Sequence, residues 1–237
     1  MSQGIVSGEK VQEFSTDILK ESQRMIALID DIIRISRLDE GGMPMEWEEI
    51  NLWELSSGVL DSLRPAAEKQ EVTLRLEGEP VRVKGVWQLL NEMVYNLCDN
   101  AIKYNRPGGS VTLYVGQEED RPVLRVEDTG IGIPEAHQKR VFERFYRVDK
   151  SRSKAVGGTG LGLSIVKHGA QYMGVKVGLE STPDVGTTVT LSFGDAPEAA
   201  GAEAPAEATG AAEARESREG RETREAGETG KAEETEA

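Results

Sequence analysis

The sequence predicts an α+β protein: a two-layer α/β sandwich with helices on one face of a mainly antiparallel sheet, preceded by one long helix. Three observations carry this. Apolar residues recur at 3-4 spacing through residues 9–38. From residue 50 to 193, short alternating strands interleave with apolar helices. From Asp195 onward there is no Val, Ile, Leu, Met, Phe, Trp, Tyr or Cys. The chain therefore divides into 1–44, 45–194 and 195–237.

In the first segment, Val11, Phe14, Ile18, Met25, Leu28, Ile32 and Ile35 form one stripe, and Leu19, Ile26, Ile29 and Ile33 widen it. Gly41, Gly42 and Pro44 end the helix. A face this broad has to pack on another helix. No second helical pattern lies nearby, so the partner is expected outside this chain or in a second copy of it. The mixed segment predicts a helix over 52–70, strands over 72–76 and 81–83, and a strongly apolar helix over 86–104. Strands follow over 110–115 and 122–127, helices over 134–147 and 161–173. Two last strands, 175–181 and 187–193, flank a turn at 183–186.

The chain has 237 residues with 42 acidic and 28 basic side chains, a formal charge of −14. The last 43 residues hold 13 of the acids and 5 of the bases. Such a tail cannot bury enough apolar area to offset chain entropy, so it is expected to be disordered. A single cysteine, Cys98, excludes a disulfide framework and a cysteine-based zinc site. No apolar run approaches the roughly 18 residues of a membrane span. The N-terminus lacks the basic-then-apolar pattern of a signal peptide. A cytoplasmic protein is expected, and its net acidity makes nucleic acid a poor partner.

Four segments carry chemistry. On the 86–104 helix, Asn96 and Asn100 are four apart, on one face, with Lys103 beside it and Tyr104 next. Amide oxygens beside an ammonium suit a hydrated hard cation and a phosphate; a solvated polar face carries the same residues. At a strand end, Asp128 precedes Gly130 and Gly132. Its carboxylate is placed to accept a hydrogen bond from a ligand amine, and the glycines clear room for a flat ring; turn chemistry gives the same pattern. Gly157, Gly158, Gly160 and Gly162 open a helix, offering bare amides to an anion. Between Lys139 and Lys154 stand seven bases against Glu143 and Asp149, with Phe142, Phe145 and Tyr146 among them. That is the densest positive charge in an acidic chain, placed where a flexible lid would meet a triphosphate.

In this order and spacing, the four segments resemble the ATP-binding catalytic domain of sensor histidine kinases of two-component systems, members of the GHKL superfamily with the Bergerat fold. Asn96-x-x-x-Asn100-Ala-x-Lys103-Tyr104 is similar to the asparagine box, and Asp128-Thr-Gly130-x-Gly132-Ile to the first glycine box. Phe142-Glu-Arg-Phe145-Tyr-Arg147 resembles the aromatic box, Gly158-Thr-Gly160-Leu161-Gly162-Leu163 the second glycine box, and Gly186-Thr187 the last glycine motif. The resemblance implies ATP and Mg2+ as cofactors. It implies that Asp128 binds the adenine amine above Gly130 and Gly132, and that Asn100 and Asn96 hold the metal. Lys103, Tyr104 and Arg147 would contact the phosphates, with Asn96, Lys103 and Arg147 as the catalytic set. Gly158, Gly160 and Gly162 would bound a lid, with Leu161 and Leu163 near the nucleotide. A response regulator and a homodimeric, membrane-attached parent are further implications.

One departure stands beside this. The family's phosphate-accepting histidine sits in a His-Glu-x-x-Thr/Asn-Pro motif on a preceding helix. This chain has His137 and His168 only, both inside the ATP-binding segment and neither in that context. Residues 1–44 resemble the second helix of the dimerisation hairpin, so a truncated kinase is expected, its acceptor histidine on a hairpin supplied in trans or lost with the first helix. An ATP-binding regulatory fragment that pairs with an intact kinase, or another GHKL serine kinase or ATPase, are the alternatives.

Overall fold

The structure, a computed structural model, describes residues 8–39, 45–148 and 159–194. The expectation of a disordered tail falls on 195–237, outside the described residues, as do the lid bases Lys150, Arg152 and Lys154 and the glycines Gly157 and Gly158.

Helix α1 spans Gly8–Asp39. Strand β1 (Glu48–Asn51) leads into α2 (Leu52–Lys69). Asn51 caps α2: its side-chain oxygen accepts from the N–H of Trp53 at 3.1 Å, and its amide donates to Glu54 at 2.9 Å. Then come β2 (Thr73–Gly78), β3 (Arg82–Gly85) and α3 (Trp87–Lys103). After β4 (Ser110–Glu118) and β5 (Arg121–Asp128), a short helix α4 covers Glu135–Gln138. Helix α5 (Gly162–Met173) ends on Gly174, whose φ of +68° is the left-handed cap that glycine supplies. Strands β6 (Lys176–Thr182) and β7 (Gly186–Ser192) close the fold.

The main sheet runs β2-β4-β5-β7-β6. Only β2–β4 is parallel; the other pairings are antiparallel. The register sets Asp128, the last residue of β5, opposite Thr187 of β7. Strands β1 and β3 form a separate two-stranded antiparallel sheet.

Helices α2, α3 and α5 cover one face of the main sheet. Helix α3 is central: Leu90, Met93, Val94, Leu97, Cys98, Ala101 and Ile102 are buried, against β4, β5, α2 and α5. That burial turns the Asn96–Asn100–Lys103 edge outward. Burial also pushes the Cys98 thiol up to about 12, so it stays protonated.

Two expectations need correction. The stretch 134–147 is helical only over Glu135–Gln138; the rest is turns. Phe145 takes φ +63°, and its N–H donates to the Gly160 carbonyl at 2.9 Å instead of to the preceding turn. A tertiary contact outweighs the apolar spacing there. The long helix does meet a partner in this chain: Leu28 of α1 packs on Leu161 and Ile165 at the start of α5. Elsewhere on α1, Val11, Phe14, Ile18, Leu19, Met25, Ile26, Ile29 and Ile33 stay exposed. The side chains of Ile32 and Ile35 lie outside the described ones.

Helices α3 and α5 approach closely at Gly169, where a Cβ would lie 2.8 Å from the Met93 sulfur. Gly169→Val is expected to lower the unfolding free energy in urea by about 1–3 kcal/mol, because the buried Met93 must repack to admit it. An unchanged midpoint would contradict this packing.

Candidate functional site

A cavity of about 860 Å³ opens between α3, the β5–α4 connection, the Tyr146–Val148 loop and the first turn of α5. One wall is the outward edge of α3. Asn96 donates its amide to the Glu92 carbonyl at 2.9 Å. Its Oδ1 is left facing α5, where a Cβ on Gly162 would lie only 2.9 Å away. Asn100 Nδ2 is 3.5 Å from that same point. Glycine at 162 thus lets the first turn of α5 close on both carboxamides. Lys103 is held by Asp99, Nζ to Oδ2 at 2.5 Å, an i,i+4 pair along the same edge.

The second wall is the end of β5. Asp128 Oδ1 accepts from the Gly130 N–H at 2.8 Å and the Thr187 N–H at 3.3 Å. The loop after it threads between two backbones. A Cβ on Gly130 would stand 2.5 Å from the Tyr104 carbonyl, and one on Gly132, at φ +66°, 2.1 Å from that of Thr182. Ile131 N–H donates to the Tyr104 carbonyl at 3.1 Å, fixing the end of α3 to this loop. Burial pushes the Asp128 carboxyl up to about 6, and the Glu127 charge adds to this; the two N–H bonds pull it back.

The third wall carries Arg147. Its Nε and Nη2 are buried with no hydrogen-bond partner among the described residues. Gly160, at φ +77°, lies under this wall: a Cβ there would be 3.1 Å from Phe145 Cα and 3.3 Å from Arg147 Cγ. A buried guanidinium without an acceptor is costly. The arrangement therefore has one acceptor pole at Asp128 and one cationic pole at Arg147, Lys103 and the α5 N-terminus.

Of the residues singled out from sequence, Asn96, Asn100, Lys103, Tyr104, Asp128, Gly132, Arg147, Gly160, Gly162 and Leu163 all line this one cavity. Gly130 stands behind it, against Asp128. Leu161 is placed otherwise: its side chain is fully buried with Ile165 and Leu28 rather than on the cavity wall. Gly158 lies outside the described residues. Several polar cavity residues were given no role from sequence, among them Asp99, Thr187, Arg106 and Asp184. Asp99 was legible from its i,i+4 relation to Lys103. Thr187 was noted only as part of a glycine motif. Arg106 and Asp184, an ion pair at the cavity rim, are too far apart in sequence to announce each other. Among the described residues no cluster of three His, Cys, Asp or Glu stands ready for a metal. The side-chain oxygens of Asn96 and Asn100 are the donors that a hard cation would find here.

The sequence pattern of the histidine kinase-, DNA gyrase B-, and HSP90-like ATPases matches residues 85–197. The sensor-like histidine kinase SenX3 of Mycolicibacterium smegmatis is 35% identical over 191 residues, 80% of this chain and 50% of that protein. The sensor histidine kinase YkoH of Bacillus subtilis is 33% identical over 192 residues, 81% of this chain and 41% of that one. The chain thus spans about half the length of the curated relatives it matches. The catalytic domain of histidine kinase ThkA has a similar structure, with a TM-score of 0.56 at 25% identity, covering 65% of this chain and 99% of that one.

Asp128 links stability to pH. The folded carboxyl keeps its proton up to about pH 6, against 3.8 for an unperturbed one. It thus favours the folded state fully below pH 4, and that contribution is lost as pH rises to 6. Asp128→Asn, which cannot titrate, is expected to gain on the parent by on the order of 2–3 kcal/mol between pH 4 and 7. Urea unfolding at both pH values checks this; a constant difference would show that burial does not govern the carboxyl.

Proposed function

Through residues 85–197 the chain belongs to the family of histidine kinase-, DNA gyrase B- and HSP90-like ATPases, and from that premise we propose that residues 45–194 are the ATP-binding catalytic domain of a two-component sensor histidine kinase. The observation that supports it most is that Arg147 Nε and Nη2 are buried without a partner among the described residues, in the same cavity as Asp128. A polyanion with an amine-bearing base at its other end satisfies both poles.

In this reading the adenine amine donates to Asp128, and Gly130 and Gly132 let the base lie on bare backbone. The phosphates run toward Arg147, Lys103, Tyr104 and the amides that open α5. Asn96 and Asn100 would hold Mg2+, whose charge would offset that of the phosphates. Phosphoryl transfer needs chiefly positioning and charge neutralisation. Those are what these residues offer: Lys103 and Arg147 bring positive charge to the transferred group, and Gly160 and Gly162 give it close backbone approach.

The acceptor is a histidine of a hairpin not among these 237 residues, in trans or preceding them, from which a response regulator takes the phosphoryl group. Both histidines of this chain are otherwise engaged. His137 Nδ1 is 2.5 Å from the Tyr146 hydroxyl, and His168 Nε2 is 3.2 Å from Arg144. Residues 1–44 belong to the dimerisation hairpin as its second helix, and the full-length form is a homodimer. The exposed apolar face of α1 supports that assignment.

Arg147→Ala is expected to weaken ATP binding about 10- to 100-fold, as befits charge-assisted hydrogen bonds, and to leave adenosine binding unchanged. Calorimetry with both ligands checks this; equal losses would remove Arg147 from the phosphate site. Asn100→Ala should weaken ATP binding about tenfold in Mg2+ and little in EDTA. The same loss in both media would remove Asn100 from the metal site.

A further inference from the structure

We infer that the two histidines of this chain, His137 and His168, are positioning residues for Arg147, holding from two sides the loop that carries it. The inference rests on the nucleotide reading above, and its test separates the two.

The loop from Val141 to Val148 has little apolar anchorage. Glu143, Arg144 and Phe145 are exposed, Phe145 by 56%. Some of its contacts are internal and move with it: Arg140 lies over the Tyr146 ring at 4.3 Å and pairs with Glu143 at 3.5 Å. Yet Arg147 is held with two guanidinium nitrogens buried and unpaired among the described residues. An arginine left to itself would swing to solvent. Contacts from outside the loop must hold it.

Each histidine supplies one, and each stands on an anchored element. His137 is on α4, where Gln138 donates to the carbonyls of Ile133 at 2.9 Å and Ser181 at 2.8 Å. That fixes α4 to β6. His137 Nδ1 meets the hydroxyl of Tyr146, the residue before Arg147 and itself on the cavity wall. His168 is on α5, which is locked by buried Val166, Ala170 and Met173. Its Nε2 faces Arg144, three residues before Arg147. A guanidinium only donates, so His168 accepts there as a neutral imidazole with its proton on Nδ1. Between these points the Phe145 N–H is bonded to Gly160. The two imidazoles therefore fix the loop to the sheet side and to the helix side.

Calorimetry on the full chain tests this with ATP–Mg2+ and with adenosine. His137→Ala and His168→Ala are each expected to weaken ATP binding about three- to tenfold, one hydrogen bond's worth, with adenosine unchanged. His137→Asn, whose amide stands near the lost Nδ1, and His168→Gln, whose oxygen replaces Nε2 as acceptor, should restore most of the loss. In an Arg147→Ala background neither alanine change should weaken ATP further. Matching losses for ATP and adenosine, absence of rescue, or full additivity with Arg147→Ala would each overturn the positioning role. A parent chain that is folded and binds neither ligand would instead overturn the nucleotide reading, and this inference with it.

Discussion

Two buried guanidinium nitrogens of Arg147, with no acceptor beside them among the described residues, are the constraint around which this site is organised. They are Nε and Nη2. Leaving a buried donor unpaired costs about 1–3 kcal/mol. An anion that enters the cavity removes that cost, so part of its binding free energy is already stored in the fold. Lys103, paired with Asp99 along α3, and the first turn of α5 line the same cavity. Asp128 stands on another wall of the cavity, where its carboxylate is offered to a hydrogen-bond donor.

Backbone proximity does the rest. Four glycines stand where a Cβ would collide: Gly130 with the Tyr104 carbonyl, Gly132 with that of Thr182, Gly160 with Phe145, Gly162 with Asn96. Each contact joins two elements distant in sequence. Together they bring the end of α3, the end of β5, the Arg147 loop and the start of α5 around one space. The glycines thus act as spacers of the scaffold as much as contacts for a ligand, which is why they occur in two separate stretches of the chain.

Much of this was legible in the sequence, because the signals were local. The 3.6-residue period of α3 set its apolar face, and with that its Asn96–Asn100–Lys103 edge. The glycine runs marked close approaches. What escaped was long-range. Strand β1 has one buried residue, Ile50, and no alternation to betray it; pairing with β3 makes it a strand. The spacing of Val141, Phe142 and Phe145 reads as helix, yet a carbonyl at Gly160 takes the Phe145 N–H. The Arg106–Asp184 pair and the Thr187 bond to Asp128 exist only once β5 and β7 are in register. The raised Asp128 carboxyl reflects burial by residues from several elements, which a strand end alone does not reveal.

The most direct measurement compares ATP with GTP on the full chain by calorimetry in Mg2+. Adenine presents an amine to Asp128 where guanine presents a carbonyl, which would set two acceptors face to face. The account predicts saturable binding of ATP and at least a hundredfold weaker binding of GTP, roughly the discrimination of a site built on one hydrogen bond. Equal affinity for the two nucleotides, or no heat with ATP from a chain shown to be folded, would contradict it.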